Sequence, residues 1–377
     1  MTGVFGRISE ALNPSKRSSA SSRPDAGPAP REEAGVEMSI SLVTDEVIPA
    51  ERRMTPASQA RSGLYPHEIL LLDYASSMYP DQKVFQGFWW FRYGVRDPGG
   101  LLRSLTDRGL LSVGDIEQAL MNETVASLKI DLREFGLPLS GKKDALVQRL
   151  LSDAPRASLE ERHPRRTYAL TEQGREALEA EPHVAYIHTR TIDDLDIWSF
   201  SGLVHSNPGT PWRDLLWGHL NQRGLDHASR GDWGLFGSTR LAMAKVVLEE
   251  GKHRVALDML ADTAYFDLSG LTNNWDLTCS AISEEDFFPY CESSATIPPG
   301  VTRMLIDCQE ALNLSSEELR GLVLARMRRL SAPFHLFTAE ECVDVVMYEI
   351  QGDEVTLSRI YEQSRSRMRG RYPESRW

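Results

Sequence analysis

The chain has 377 residues, 41% hydrophobic and 25% charged, an ordinary balance for a globular protein with material for two or three cores. No apolar run approaches the ~20 residues of a bilayer-spanning helix, and the amino terminus lacks an apolar secretory segment, so a cytoplasmic protein without a membrane partner is expected. The net charge of −12 is concentrated in residues 181–318, where 21 Asp and Glu against 9 Lys and Arg account for all of it. Charge is screened beyond about 10 Å at ~0.1 M salt, so this acidic stretch does not exclude a basic patch elsewhere. It does predict modest, salt-sensitive affinity for a polyanion. Cys279, Cys291, Cys308 and Cys342 are too widely spaced for a C-x-x-C zinc site or a disulfide framework.

Residues 14–35 are rich in Ser, Pro and Ala with no apolar period, and disorder is expected from residue 1 to about 62. A first domain is expected over 65–182. Pro66 opens a helix carrying Ile69, Leu70 and Leu72 towards Tyr79. The aromatic run from Phe85 to Tyr93 reads as core or interface before it reads as a base-stacking platform. Asp97-Pro98 supplies a cap and an N1 proline to a helix presenting Leu101, Leu102 and Leu105, with Gly109 closing it.

Between residues 124 and 151 lies a helix–link–helix pattern. Thr124 caps a first helix with Val125, Leu128 and Leu132 along one face, and Gly136 ends it in a left-handed turn. Leu137-Pro138-Leu139 crosses in extended form. Ser140 is expected to cap a second helix bearing Leu146 and Leu150. Two short helices make a very small core, which must lean on something else. Lys142 and Lys143 sit in the first turn of the second helix, the end where the peptide dipole disfavours cations. Beside Gly141 they are well placed for a phosphate, although exposed lysines also tolerate that small penalty for solubility alone.

This stretch resembles the SAP domain, a small DNA-binding motif of scaffold-attachment and chromatin-associated proteins. The residues carrying the resemblance are Val125, Leu128, Leu132, Gly136-Leu137, Gly141-Lys142-Lys143, Leu146 and Arg149-Leu150. The resemblance implies sequence-tolerant binding of double-stranded DNA, with Ser140, Gly141, Lys142 and Lys143 against the backbone. RNA is an alternative partner through the family's broader relatives. Lys129 and Arg149 add to the basic set, yet with five bases and three acids the unit carries only +2, so alone it should bind weakly.

The flanks carry a second resemblance. Leu101–Leu111 reads as a helix entering a strand. Arg165-Arg166-Thr167-Tyr168-Ala169-Leu170-Thr171 through Leu178 reads as a strand followed by a Thr171-capped helix. The string Tyr-x-Leu-Thr-x-x-Gly-x-x-x-Leu is similar to the second wing strand and closing helix of many bacterial winged-helix regulators. This implies a winged-helix-like domain over 65–182 with the SAP-like unit inserted in its wing. Arg103, Arg108, Arg165 and Arg166 would then flank the insert, and Leu110–Val113 should pair with Thr167–Leu170.

An acidic, mixed or helical domain is expected over 183–300. Trp212–Leu220 is one helix, and Leu241–Leu260 forms a helical hairpin turning at Gly251. A helical region follows over 301–377, with helix starts at Ser315 and Thr338 and six arginines in the last 23 residues, read first as a solvated helix end. The fold class expected is therefore mainly α with small β content. The acidic helical part is expected to engage a protein partner, which leaves a scaffold role with auxiliary DNA binding as a competing reading. No cofactor, metal or catalytic set is recognised. The nine histidines show no metal-type spacing, and P-loop, dinucleotide and nucleophile-elbow motifs are lacking. Asp232 with Glu250 and Lys252 faintly suggests a metal-dependent nuclease, but Glu250 closes a helix. Asp193, Asp194 and Asp196 read as a solvated acidic turn.

Overall fold

The computed structural model describes residues 47–190, 192, 195–271 and 297–371, with the side chains of the last helix up to Arg367. The expected disorder of residues 1–46, the acidic pair Asp193-Asp194, and Cys279 and Cys291 lie outside them. The protein is mainly helical, with one two-stranded sheet among the described residues. No helix among the described residues is long and apolar enough to cross a membrane.

Order begins earlier than the composition suggests. Helix α1 (Ala50–Arg53) and a short 3-10 turn (Pro56–Ser58) lie within the stretch expected to be disordered. Ala50 and Ala60 are buried, the Ala50 N–H donates to the Gly94 carbonyl at 3.1 Å, and Arg53 reaches both the Arg92 carbonyl and Asp196 at 3.3 Å. Tertiary bonds thus fix a segment that has no apolar period of its own.

Helix α2 (Pro66–Ala75) is buried along most of its length. It packs against α4 (Pro98–Asp107), which Asp97 caps through the Gly100 N–H at 2.7 Å. Between them the aromatic run forms the short helix α3 (Phe88–Phe91). Its Trp89, with Tyr93 just beyond, is core, packed around Tyr74 and His188, so the platform reading of this run does not hold for its largest buried rings.

Strand β1 (Leu111–Val113) pairs antiparallel with β2 (Tyr168–Leu170), Leu111 opposite Leu170 and Val113 opposite Tyr168. Four helices lie between the strands: α5 (Ile116–Asn122), α6 (Val125–Glu134), α7 (Lys143–Asp153) and α8 (Arg156–Arg162). They close around their own apolar cluster, separate from the main core. Helix α9 (Glu172–Glu179) follows β2. Thr171 caps it and also donates its hydroxyl to the Gly109 carbonyl at 2.7 Å. Gly174 is required here, because a Cβ would lie 2.0 Å from the Leu110 carbonyl oxygen.

The chain continues through α10 (Pro182–Thr189), α11 (Ile197–Ser206), α12 (Trp212–Arg230), α13 (Trp233–Glu249) and α14 (His253–Asp267). The expected hairpin at Gly251 is present, its glycine at φ +71°, but α13 starts eight residues before Leu241 and α12 runs ten residues past Leu220. The last helices are α15 (Pro299–Ala311), α16 (Ser316–Met327), α17 (Ala339–Gln351) and α18 (Glu354–Arg371). Ser315 and Thr338 cap α16 and α17 as expected, each with a reciprocal glutamate. One apolar cluster takes buried residues from Ala50 to Tyr361, on both sides of residues 182 and 300, and leaves out the separate cluster of α5–α8.

At its centre α14 carries Asp262, 1% exposed. Arg240 of α13 donates to its Oδ2 from Nε at 2.9 Å and Nη2 at 2.6 Å, and Arg326 of α16 binds both carboxylate oxygens. Two guanidinium forks on one carboxylate satisfy the buried charge and fix three helices together.

Four imidazoles are built into this core as free bases. Burial pushes His67, His183, His188 and His335 down to about 4 from the ordinary 6.5. In His335 burial outweighs the ring's own bonds, Nε2–H to the Tyr265 carbonyl at 2.9 Å and Nδ1 from the Phe337 N–H at 3.0 Å, which act against the shift. Because the unfolded chain takes up these protons first, stability is full above about 6.5 and is lost as the pH falls towards 4. Urea unfolding across that range should show midpoints falling with acidity: the four imidazoles take up protons on unfolding, partly offset by Asp267, which burial raises to about 7 and which releases one, and His335→Gln should flatten the slope by about one proton.

Candidate nucleic-acid interface

The residues that carry the resemblance fold as two helices joined by an eight-residue link. Thr124 Oγ1 accepts the Ser127 N–H at 3.1 Å and starts α6, and Leu128 and Leu132, four residues apart, are fully buried. Val125, expected in the same face, is 41% exposed; it stands in the first turn, before the helix enters the core. Gly136 closes α6 at φ +66°, with the Leu137 N–H donating to the Leu132 carbonyl and the Gly136 N–H to that of Arg133, a double bond set that only a left-handed residue permits.

In the link, Leu137 and Leu139 turn inward while Pro138 and Ser140 stay exposed. Ser140 does not cap the second helix. The cap position is Lys142, with extended backbone and no side-chain bond to the first amides of α7, because Gly141 at φ +127° carries the chain one more step before it turns. Ser140 instead offers its carbonyl, 3.0 Å from Arg149 Nη1, which also binds the Pro138 carbonyl. Arg149 is therefore a clasp across the link. Lys142 is exposed, Lys143 and Lys129 are half-buried, and among the described residues none of the three makes an ion pair. The amino end of α7 thus presents Gly141, Lys142 and Lys143 with no side-chain cap.

The other expected cations are committed elsewhere. Arg165 lies 3.9 Å over the Tyr79 ring and 3.4 Å from Asp81, and Arg166 donates to the His163 carbonyl. Arg108 pairs with the buried Glu68, and exposed Arg103 stands 3.7 Å from Asp97. These contacts fasten the ends of the insert, or α4, to their own surroundings.

Sequence reasoning missed what supports the two helices. Ile116 and Leu120 of α5 and Leu159 of α8 complete the cluster around Leu128, Leu132, Leu146, Val147 and Leu150. It also missed a polar clasp beneath them. Asp131 of α6 is 3% exposed and accepts from Arg162 Nε at 2.8 Å and lies 2.9 Å from His163 Nε2. Arg162 further pairs with Glu134, and His163 Nδ1 lies 3.3 Å from Glu123. The signal was only an acid on the buried face of an apolar pattern, thirty residues before its partners.

Asp232 and Glu250, the pair weighed for nuclease chemistry, bracket α13 at opposite ends, about 27 Å apart by helical rise. They do not converge. Glu250 binds Lys252 at 2.7 Å, and Asp196 caps α11. Comparison with protein-family models, with curated proteins and with solved structures finds no match.

Removing the Asp131 carboxylate leaves Arg162 and His163 without their shared partner. Asp131→Ala should destabilise the insert by about 3 kcal/mol. Native-state hydrogen exchange should then show faster exchange of α6 and α7 amides with α13 and α14 unchanged, since the two sets of helices have separate cores.

Proposed function

We propose that the protein binds double-stranded DNA through the phosphate backbone, using the SAP-type insert as the contact and the acidic helical body to engage a protein partner. The observation that carries this reading is the amino end of α7. Two consecutive lysines without ion-pair partners among the described residues stand next to Gly141, and the first amides of the helix receive no side-chain cap. A phosphate can accept from those N–H groups and from both ammoniums at once. This recognises the sugar–phosphate rail and not the base edges, so binding is tolerant of sequence.

The surroundings favour a winged-helix-like frame for the insert. Helix α4 runs into β1, β2 runs into α9, and α2 packs against both helices and the second strand. In that frame the insert occupies the wing, the part of such domains that lies along the duplex. With few free cations, binding is modest and falls steeply with salt.

The reversal Lys142→Glu/Lys143→Glu tests the site directly. Affinity for duplex DNA should drop by about tenfold or more, and the slope of log K against log salt should shrink by about 2. Unchanged affinity in the folded variant would reject the site. Tighter binding of duplex RNA than of DNA by the unaltered protein would move the partner to RNA.

A further inference from the structure

A second cluster lies outside the insert, where α10, α11 and the 3-10 turn at Pro56–Ser58 meet. Glu181 stands at the cap position of α10, His183 one residue inside it, and His205 at the penultimate residue of α11. Glu181 and His183 are buried and His205 is half-buried. One ligand atom from each of the three lies within 4.8 Å of the others. His205 Nε2 is 2.9 Å and His183 Nε2 3.6 Å from Glu181 Oε2, values that bracket the roughly 3.4 Å between neighbouring ligands of a tetrahedral zinc ion. The sequence gives no hint of it, because 22 residues and a helix–helix packing separate the two histidines.

Hydrogen bonding around the cluster favours a cation at its centre. His205 Nδ1 lies 3.2 Å from the Ala57 carbonyl, which can only accept, and Nε2 lies 2.9 Å from the Glu181 carboxylate. With the ring proton on Nδ1, the Nε2 lone pair and the carboxylate are two donors that one metal ion takes up together. The Ala57 carbonyl is the kind of outer partner that orients a metal-binding imidazole. On His183, Nε2 lies 2.9 Å from the Ser201 hydroxyl, a contact that a bound metal ion displaces.

The cluster also borders a cleft. Glu181 and His205 form part of the wall of a cleft of about 510 Å³ that Pro56, Ala57, Gln59 and Arg61 complete. Three protein ligands and one side facing a cleft is the pattern of a zinc site that keeps a position for water or a small ligand.

We propose that Glu181, His183 and His205 form a site for a divalent transition-metal ion, zinc by its two-nitrogen, one-carboxylate donor set, with the fourth position open to the cleft. The site is independent of the DNA-binding reading. Magnesium and calcium, which prefer oxygen ligands in larger number, do not suit it.

Full-length protein stripped with a chelator, then titrated with Zn2+ against a chromophoric competitor, should bind one equivalent, and Mg2+ should not displace it. The Co2+ form should show the strong visible bands of a tetrahedral nitrogen–oxygen site. His205→Ala and Glu181→Gln, the latter keeping the side chain's size, should each lower zinc affinity by about a hundredfold or more. Three results would each overturn the assignment: no stoichiometric uptake by the unaltered protein, undiminished affinity in both variants, or a thiolate charge-transfer band in the Co2+ form. The last reads the unaltered protein, so it holds even where a variant fails to fold.

Discussion

The structure around the candidate interface depends on one constraint: the chain leaves the main body at Val113 and must return at Tyr168, its direct partner in the two-stranded ladder. Everything between has to fold with its ends side by side. Four short helices meet that demand by building a core of their own, and the clasp of Asp131 by Arg162 and His163 ties the outgoing α6 to the returning α8 at the point where the chain turns back to β2. A buried carboxylate is a costly device, tolerated here because two donors from one short segment satisfy it. At the start of α7, Lys142 stays exposed and Lys143 half-buried at the edge of this second core.

The larger body is organised differently. Its helices share one apolar core, and its most buried charge, Asp262, is held by arginines from two neighbouring helices. The acids that give the chain its net charge lie in this part, and many are spent on pairs such as Glu249 with Arg190 and Arg213. The body's negative surface and the insert's unpaired lysines therefore belong to separate cores, which lets one chain carry both signs without mutual neutralisation.

Much of this was legible in the residues. Caps at Asp97, Thr124, Thr171, Ser315 and Thr338, and left-handed glycines at 109, 136 and 251, are local devices, and local devices are readable. The strand pair was readable because helix–strand and strand–helix patterns bracket it. What escaped depends on partners distant in the chain. Ser140 has the right chemistry for a cap, but the backbone at Gly141 moves the helix start two residues on. Arg149, Arg165 and Arg166 look free in a string of letters and are engaged in space. The order of residues 47–62 rests on bonds to Gly94, Arg92 and Asp196, and the meeting of Glu181 and His183 with His205 on the packing of α10 against α11.

Attachment through two neighbouring strands has a mechanical meaning. A module hung from a single linker swivels, whereas one entered and left through adjacent rungs of a ladder resists twisting as well as pulling. A polymer gripped by the insert would accordingly keep a set azimuth towards the helical body, whose like charge would fend it off and hold it upright. The partner-facing side would then meet the duplex in one orientation only.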